Sequence, residues 1–233
     1  PLTRNQSKEV FDILRDDDGK LWVATYSGGI MIIDPITLSV IHLDLQPFYE
    51  RTETVRSISK GLLGDYWIGT RGGLYIYTRA KGVTGFFKHD DRDNHSLANN
   101  SVLDIFHDNR GDAWIGTRGG LNLLAKSKQV FRNFSALPND NHFLNCNIIY
   151  AFWIDDRQRI WVGTEDGGIN IYDPAKGTYE YMLAGPKGSN TISQNCIKAF
   201  LDDGRGNLYI GTFWGCIDVL NLATGRISHY RHS

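Results

Sequence analysis

The chain has 233 residues, of which 41% are hydrophobic and 12% aromatic, and its formal net charge is −1. This charge balance excludes the basic footprint of a nucleic-acid-binding protein. The longest apolar runs have the length of a strand, well short of the ~20 residues that span a bilayer, so we expect no membrane contact by this segment. The composition suits one core, since all-β domains of this length are often undivided.

After a short polar lead, residues 1–9, the chain contains five copies of one sequence repeat, here called a unit. Each unit contains a four-residue box made of an aromatic, a branched aliphatic, a small residue and Thr. The boxes are residues 22–25, 67–70, 114–117, 161–164 and 209–212, with Tyr209 replacing Trp in the last. Successive box aromatics lie 45 to 48 residues apart, a period typical of propellers and solenoids.

Two turns flank each box. Six residues before the aromatic stand Asp16, Gly61, Asp108, Asp155 and Asp203, and three before it stand Gly19, Gly64, Gly111, Gln158 and Gly206. An Asp that bonds its own backbone, followed by a Gly with positive φ, is typical of a hairpin turn. After the box comes a glycine pair, which the fifth unit replaces with Gly215-Cys216.

Apolar runs before and after the box, with a looser fourth run, predict four short strands per unit. Tight turns join these strands, and no segment has a helical period long enough to cross between parallel strands. The predicted fold is therefore all-β, with five four-stranded antiparallel β-propeller blades of about 47 residues in a partial or small propeller. The predicted blades cover residues 10–46, 55–88, 102–134, 149–183 and 197–233 of one segment, 1–233.

The box has a structural interpretation. The five aromatics are expected to fill the space between blades. The box threonines are expected to form hydrogen bonds, because an unpartnered buried hydroxyl costs about 1–3 kcal/mol.

The composite pattern of strand, Asp-x-x-Gly turn, box, Gly-Gly turn and Asp-Pro stop resembles the two-component regulator propeller repeat. A Leu-x-Asn-Asn-like linker, another element of that family, occurs at residues 97–100, 144–147 and 192–195. The resemblance implies the periplasmic sensor region of a hybrid two-component histidine kinase of the Bacteroides type. It also implies further blades of a longer chain as partners, in keeping with a start at Pro1. Five blades would then close tightly or leave an arc with two open faces, and an open arc is expected to form a homo-oligomer.

Candidates for chemistry are few. Cys196 and Cys216 flank strands about 9–10 Å apart, beyond the ~7 Å limit for a disulfide, so free thiols are expected there and at Cys146. The histidines are scattered over different repeat positions, and no metal site, cofactor or catalytic residue is predicted. The segment is therefore expected not to be an enzyme.

The turn after each box varies in a way that suits binding. The varying residues are Tyr26, Arg71, Arg118, Glu165, Asp166, Phe213 and Trp214. A fixed framework that presents different side chains at equivalent loops is how repeat proteins build binding surfaces. Aromatic faces suit sugar rings, and arginine forks suit carboxylate or sulfate. The alternative is that these are ordinary exposed turn residues, with the arginines solvated or paired to Asp90, Asp91 or Asp93.

The functional hypothesis is a non-enzymatic sensor module. By the family resemblance, its ligand would be an oligosaccharide, including an anionic glycan such as a uronic acid or a sulfated sugar. Two alternatives stay open: a propeller enzyme of the streptogramin-lyase type, which a cluster of His and Glu on one face would favour, and a protein-interaction scaffold.

Overall fold

The computed structural model describes residues 9–43, 45, 54–126, 130–136, 143–186, 188–214 and 216–231. The polar lead up to residue 8, Gln46 at the predicted end of blade one, and Gly215 of the fifth glycine position lie outside these residues. The described residues form strands, turns and loops, and among them no helix has the length and apolarity needed to cross a membrane.

The chain divides into two compact units. Unit one comprises residues 1–118 and 122–133, and unit two comprises residues 119–121 and 134–233. Each four-stranded sheet is called a blade.

Unit one contains blades one and two and most of blade three. The strands of these blades are β1 (Val10–Arg15), β2 (Leu21–Thr25), β3 (Ile30–Ile33), β4 (Val40–His42), β5 (Val55–Lys60), β6 (Tyr66–Thr70), β7 (Leu74–Thr78), β8 (Gly82–Phe87), β9 (Val102–His107), β10 (Ala113–Thr117), β11 (Leu121–Leu124) and β12 (Phe131–Phe134). Within each sheet the strands neighbour each other in chain order.

Unit two contains blades four and five. Their strands are β13 (Ile149–Ile154), β14 (Ile160–Thr164), β15 (Ile169–Asp173), β16 (Thr178–Met182), β17 (Ile197–Asp202), β18 (Asn207–Thr212), β19 (Cys216–Asn221) and β20 (Ile227–Arg231). All six strand pairs in these two blades are antiparallel. The predicted class, five four-stranded antiparallel blades, is confirmed.

The box aromatics belong to the core in three blades. Trp22, Trp114 and Trp161 are exposed by 0%, 1% and 5%. Trp67 is only half-buried, and Tyr209 is 37% exposed. The prediction of a core role for all five aromatics is therefore too broad. The burial of a box aromatic depends on the side chains that the next blade packs against it.

A carboxylate accepts a hydrogen bond from the indole N–H of each box tryptophan. Asp16, Asp108 and Asp155, the turn aspartates of three blades, accept it at 2.9, 3.3 and 3.1 Å. In blade two, where Gly61 stands at that position, Asp65 accepts the Trp67 indole N–H at 2.7 Å instead. The contact is thus kept although its carboxylate has moved along the turn.

These turn carboxylates are held ionised. Burial alone would raise the pKa of Asp108 and Asp155. Hydrogen bonds from the backbone, the indole and a nearby arginine outweigh burial, so both pKa values lie below the ordinary value. Asp16 behaves alike: burial opposes ionisation, but Trp22, the Lys20 amide and the Arg79 guanidinium lower its pKa.

Four box threonines, Thr25, Thr70, Thr117 and Thr164, are fully buried, and Thr212 is half-buried. The predicted hydrogen bonds are present at Thr25, Thr70, Thr164 and Thr212. In blade four, Thr164 Oγ1 donates to the Gly168 carbonyl at 3.0 Å and accepts from the Gly167 amide at 3.0 Å. Thr25, Thr70 and Thr212 donate to the corresponding carbonyls of their own turns. These four threonines therefore fix the turns that follow their boxes.

The linkers before the first strands are tied down in the same way. Asn100, Asn147 and Asn195 each accept a backbone N–H from the segment that follows the preceding fourth strand, at 2.6–2.7 Å. The apolar residue three positions earlier is fully or almost fully buried in each linker (Leu97, Leu144 and Ile192). The Leu-x-Asn-Asn pattern is thus an anchor for the linker.

Blade one differs from the others on one face. Val10 and Ile13 of β1 are 49% and 58% exposed, whereas Val55 and Ile58 at the equivalent positions of β5 are 0% and 5% exposed. The β5 residues are buried beside blade one. The corresponding apolar face of β1 is uncovered in the described chain.

Candidate functional site

The turn after the box is pinned to the start of the blade in all five repeats. The backbone N–H of its first residue donates to the carbonyl of the residue just before the first strand. The donors are Tyr26, Arg71, Arg118, Glu165 and Phe213, at 3.0–3.2 Å. This bond fixes the position of the predicted binding residue relative to the first strand.

The first strand of every blade carries a β-bulge at its second residue, where the register to the second strand shifts. The bulged residues are Phe11, Arg56, Leu103, Tyr150 and Lys198. Bulges re-aim side chains and are frequent beside binding sites. Each blade thus offers a bulge residue and a turn residue at the same end of its sheet.

In unit one, this arrangement brings three arginines to one cleft of about 410 Å³. Its lining consists of Arg56, Arg71, His89, Asn99, Asn100, Ser101 and Arg118. This set is called the arginine cleft. Arg71 and Arg118 come from the turns of blades two and three, as predicted, and Arg56 is the bulge residue of blade two.

No acidic residue lines the arginine cleft. Among the described residues, the side chains of Arg71 and Arg118 form no ion pair. The linker acids that could have neutralised them are engaged elsewhere, since Asp91 and Asp93 contact His89 and His95 and Asp90 accepts the Arg92 amide. The cleft is therefore an excess of positive charge with amide and hydroxyl groups beside it.

His89 lines the cleft beside the arginines. Its Nδ1 donates to the Leu97 carbonyl at 2.6 Å, and its Nε2 lies 2.8 Å from an Asp91 carboxylate oxygen. Both ring nitrogens face acceptors, which favours the protonated ring. The hydrogen bond to the Leu97 carbonyl makes the larger contribution and the one to Asp91 the smaller, and together they raise the pKa of His89 above its ordinary value. Ser101 contributes a buried Oγ that has no hydrogen-bond partner within the part of the chain described here.

Tyr26 lies beside this cleft rather than in its lining. Its ring centroid is 6.3 Å from that of Phe11, the bulge residue of blade one. The Arg56 guanidinium in turn lies over the Phe11 ring at 5.1 Å. A cation–π contact of this kind holds Arg56 in place while leaving its charge intact.

Unit two brings together a second group, the lysine–aromatic cluster, made of Tyr150, Glu165, Lys198, Phe213 and Trp214. Lys198 Nζ lies 3.1 Å from the Tyr150 ring centroid and 4.9 Å from that of Phe213. The Tyr150 hydroxyl donates to Glu165 at 3.0 Å. Phe213 and Trp214 meet edge to face at 4.9 Å, and Trp214 is 76% exposed.

The remaining polar candidates are isolated. Asp166 is exposed in the turn of blade four. Cys146, Cys196 and Cys216 are free thiols, as predicted. Burial, opposed by Lys198, raises the pKa of Cys196. Among the described residues, no group of three His, Cys, Asp or Glu side chains could hold a metal ion.

Comparison with protein families identifies the repeat. The family described as two component regulator propeller matches at residues 6–27 and 96–119, each of which contains a linker or lead, a first strand and a box. These two segments carry the two-component regulator propeller repeat.

Several solved structures share the fold of this chain. The whole chain matches the extracellular domain of a protein described as a hybrid two-component system from B. thetaiotaomicron, with 24% identity and a TM-score of 0.78, and it spans 30% of that chain. Streptogramin B lyase has 16% identity and a TM-score of 0.70, with 99% of this chain and 70% of the lyase covered. Virginiamycin B lyase from Staphylococcus aureus has 14% identity and a TM-score of 0.68, with 97% and 71% covered. A comparison with curated proteins finds no match.

The sequence-based candidate set omitted the bulge residues. Arg56, Tyr150 and Lys198 sit next to the predicted turn residues, but a bulge leaves no mark in a pattern of apolar and polar residues. Asn99 and Asn100 belong to the linker of the two-component regulator propeller repeat, and the structure adds that they line the arginine cleft. The signal that could have located all of them is their fixed spacing from the first strand.

Proposed function

We propose that this chain is a non-enzymatic, ligand-sensing segment of the periplasmic region of a hybrid two-component sensor histidine kinase. Its ligand is an oligosaccharide that carries a carboxylate or sulfate group. The arginine cleft carries this proposal, because Arg56, Arg71 and Arg118 converge on one cavity with no acid in its lining.

The chemistry of the cleft suits an oxyanion on a sugar. Planar guanidinium groups donate two parallel hydrogen bonds to carboxylate or sulfate. Asn99 and Asn100 lie in the same lining and can bond to sugar hydroxyls, which both donate and accept. The match to the two-component regulator propeller repeat, and the fold shared with the extracellular domain of a protein described as a hybrid two-component system, support the assignment to a sensor.

The lyase-like alternative has less support in the site. A cluster of histidine and glutamate on one face of the propeller would favour the lyase alternative, whereas the described histidines are dispersed. His107 lies against Trp67 in a blade interface, His229 contacts Asp218, and His89 belongs to the arginine cleft. The likeness to the two lyases is one of fold.

Calorimetry tests the proposal. A sulfated or uronic-acid disaccharide and its neutral counterpart are titrated into the full chain and into the Arg71→Ala plus Arg118→Ala variant. A charge-assisted hydrogen bond is worth about 1.5–3 kcal/mol, so the double variant is expected to lose about tenfold or more in affinity for the acidic sugar. Arg157→Ala plus Arg205→Ala, which removes two exposed arginines of the opposite turns, is the matched control. Equal affinity of all three proteins for the acidic sugar would refute the site.

A further inference from the structure

Two neighbouring blade interfaces of unit one are filled differently. Between blades one and two, the box residue Trp22 is fully buried. The Tyr66 ring stacks on it at 4.1 Å with an interplanar angle of 10°, and Tyr77 meets its edge at 5.9 Å. Two tyrosines of blade two thus close this interface.

The next interface lacks both tyrosines. Ala113 occupies in blade three the sequence position that Tyr66 occupies in blade two, directly before the box tryptophan. Leu124 likewise occupies the sequence position of Tyr77. A cleft of about 400 Å³ lies there, lined by Trp67, Ala113 and Leu124 together with Ile76 and Phe87. Trp67 is accordingly half-buried. The small side chain at position 113 leaves open the space that a tyrosine ring occupies one interface earlier.

His107 lines the same cleft. Its ring meets Trp67 edge to face at 4.9 Å, and its Nδ1 lies 3.0 Å from the Ser59 hydroxyl. Its Nε2 is buried and has no hydrogen-bond partner within the described residues. Burial lowers the pKa of His107, which favours the neutral ring. Buried polar atoms are normally partnered, so this nitrogen is a feature that calls for a ligand group.

We propose that this cleft binds a small phenolic molecule, with its ring against Trp67 and its hydroxyl bonded to His107 Nε2. The ring would lie where Tyr66 lies against Trp22, and a hydroxyl can both donate and accept, so it suits either tautomer of His107. The volume falls within the range of small-molecule pockets. The cleft also includes turn residues Gly61 and Gly111, at the end of the sheets opposite the box turns, so this site is independent of the arginine cleft.

The first experiment uses p-cresol, which is the side-chain analogue of the tyrosine in the filled interface. The full chain is titrated while NMR follows the tryptophan indole N–H signals, with Trp67 assigned from the Trp67→Phe variant. We expect a saturable shift of the Trp67 signal in the wild type. Ala113→Tyr should abolish the shift by filling the cleft, and Ala175→Tyr, in an exposed turn of blade four, should leave it unchanged.

The second experiment isolates the hydroxyl. Toluene should bind the wild type about three- to tenfold more weakly than p-cresol, the range of one neutral hydrogen bond. In His107→Phe the two probes should bind equally, and the remaining indole signals report whether this variant is folded. The proposal is overturned if p-cresol leaves the Trp67 signal unmoved at its solubility limit, or if Ala113→Tyr binds p-cresol as the wild type does.

Discussion

Replacing Asp155 with Ala tests how the turn carboxylate supports its blade. Asp155 is 9% exposed. One carboxylate oxygen accepts the backbone N–H groups of Arg157 and Arg159 at 3.0 and 2.9 Å. The other accepts the Trp161 indole N–H at 3.1 Å and the Arg159 Nε–H at 2.7 Å. The substitution removes four hydrogen bonds to one charged acceptor.

The expected cost is about 2–5 kcal/mol of unfolding free energy. The buried indole N–H of Trp161 loses its acceptor, which costs about 1–3 kcal/mol, and each turn amide that exchanges a carboxylate for water costs about 0.5–1 kcal/mol. For a chain of this size, the melting temperature should fall by about 4–20 °C. Asp156→Ala, at an exposed position in the same turn, is the control and should change stability by less than about 0.5 kcal/mol.

Urea unfolding of the two variants measures the difference, and a double-mutant cycle locates it. In a Trp161→Phe background no indole N–H remains to be satisfied, so Asp155→Ala should cost about 1 kcal/mol less than it does alone. If Asp155→Ala is no more destabilising than Asp156→Ala, or costs the same in both backgrounds, the carboxylate does not act through the indole.

The same carboxylate predicts a pH dependence. Burial opposes ionisation of Asp155, but its hydrogen bonds place the folded-state pKa below the unfolded value of about 3.9. Between the two values the unfolded chain binds more protons, so stability rises with pH in that window. The contribution is therefore complete above about pH 4 and is lost as the pH falls through the folded pKa. The stability gap between wild type and Asp155→Ala should narrow there.

Three further predictions concern the arginine cleft and the turns. Affinity for the acidic disaccharide should fall as the pH rises through the raised pKa of His89, whereas His89→Gln should give a flatter profile in calorimetry; equally steep profiles would exclude His89. Thr164→Val should cost about 1–3 kcal/mol in urea unfolding because both hydrogen bonds of its buried hydroxyl are lost, and Thr164→Ser should recover most of that loss. Gly61→Ala places a Cβ against the Asp65 carboxylate, which should weaken the hydrogen bond from the Trp67 indole to Asp65 and destabilise the protein by about 1–3 kcal/mol. The same substitution should be nearly neutral in an Asp65→Ala background, and an equal cost in both backgrounds would show that this contact is not the cause.

Most of the fold could be predicted because each blade repeats the same local instructions. An Asp turn, a box and a glycine turn recur at one spacing, and each has a local physical role that the structure bears out. Even the exceptions follow local rules: Gln158, which stands where the four other blades have Gly in that turn, has a φ of 62°. Burial of the box aromatics could not be predicted, since it depends on residues of the next blade, as Trp22 and Trp67 show.

Only part of the candidate site could be predicted. Arg71 and Arg118 share a register position, so their convergence follows from the repeat. Arg56 enters the arginine cleft through a bulge, and a bulge is a property of strand pairing that emerges only when two strands are aligned. The open space beside Ala113 can be recognised only by comparing two blade interfaces of the same molecule, because a tyrosine ring fills the equivalent space in the other interface.

The recurrent bulge also bears on how such a chain acquires new specificities. Outside blade three, whose bulge residue Leu103 is buried, the bulge residue and the turn residue of each blade stand outside the ladder pairing and are at least partly exposed, so either can be exchanged with little effect on the framework. Duplication of a blade would copy this pair of sites intact, and point changes could then diversify them one at a time. The same property makes the chain a scaffold for a combinatorial library, in which randomised bulge and turn positions on adjacent blades would share a single recognition surface.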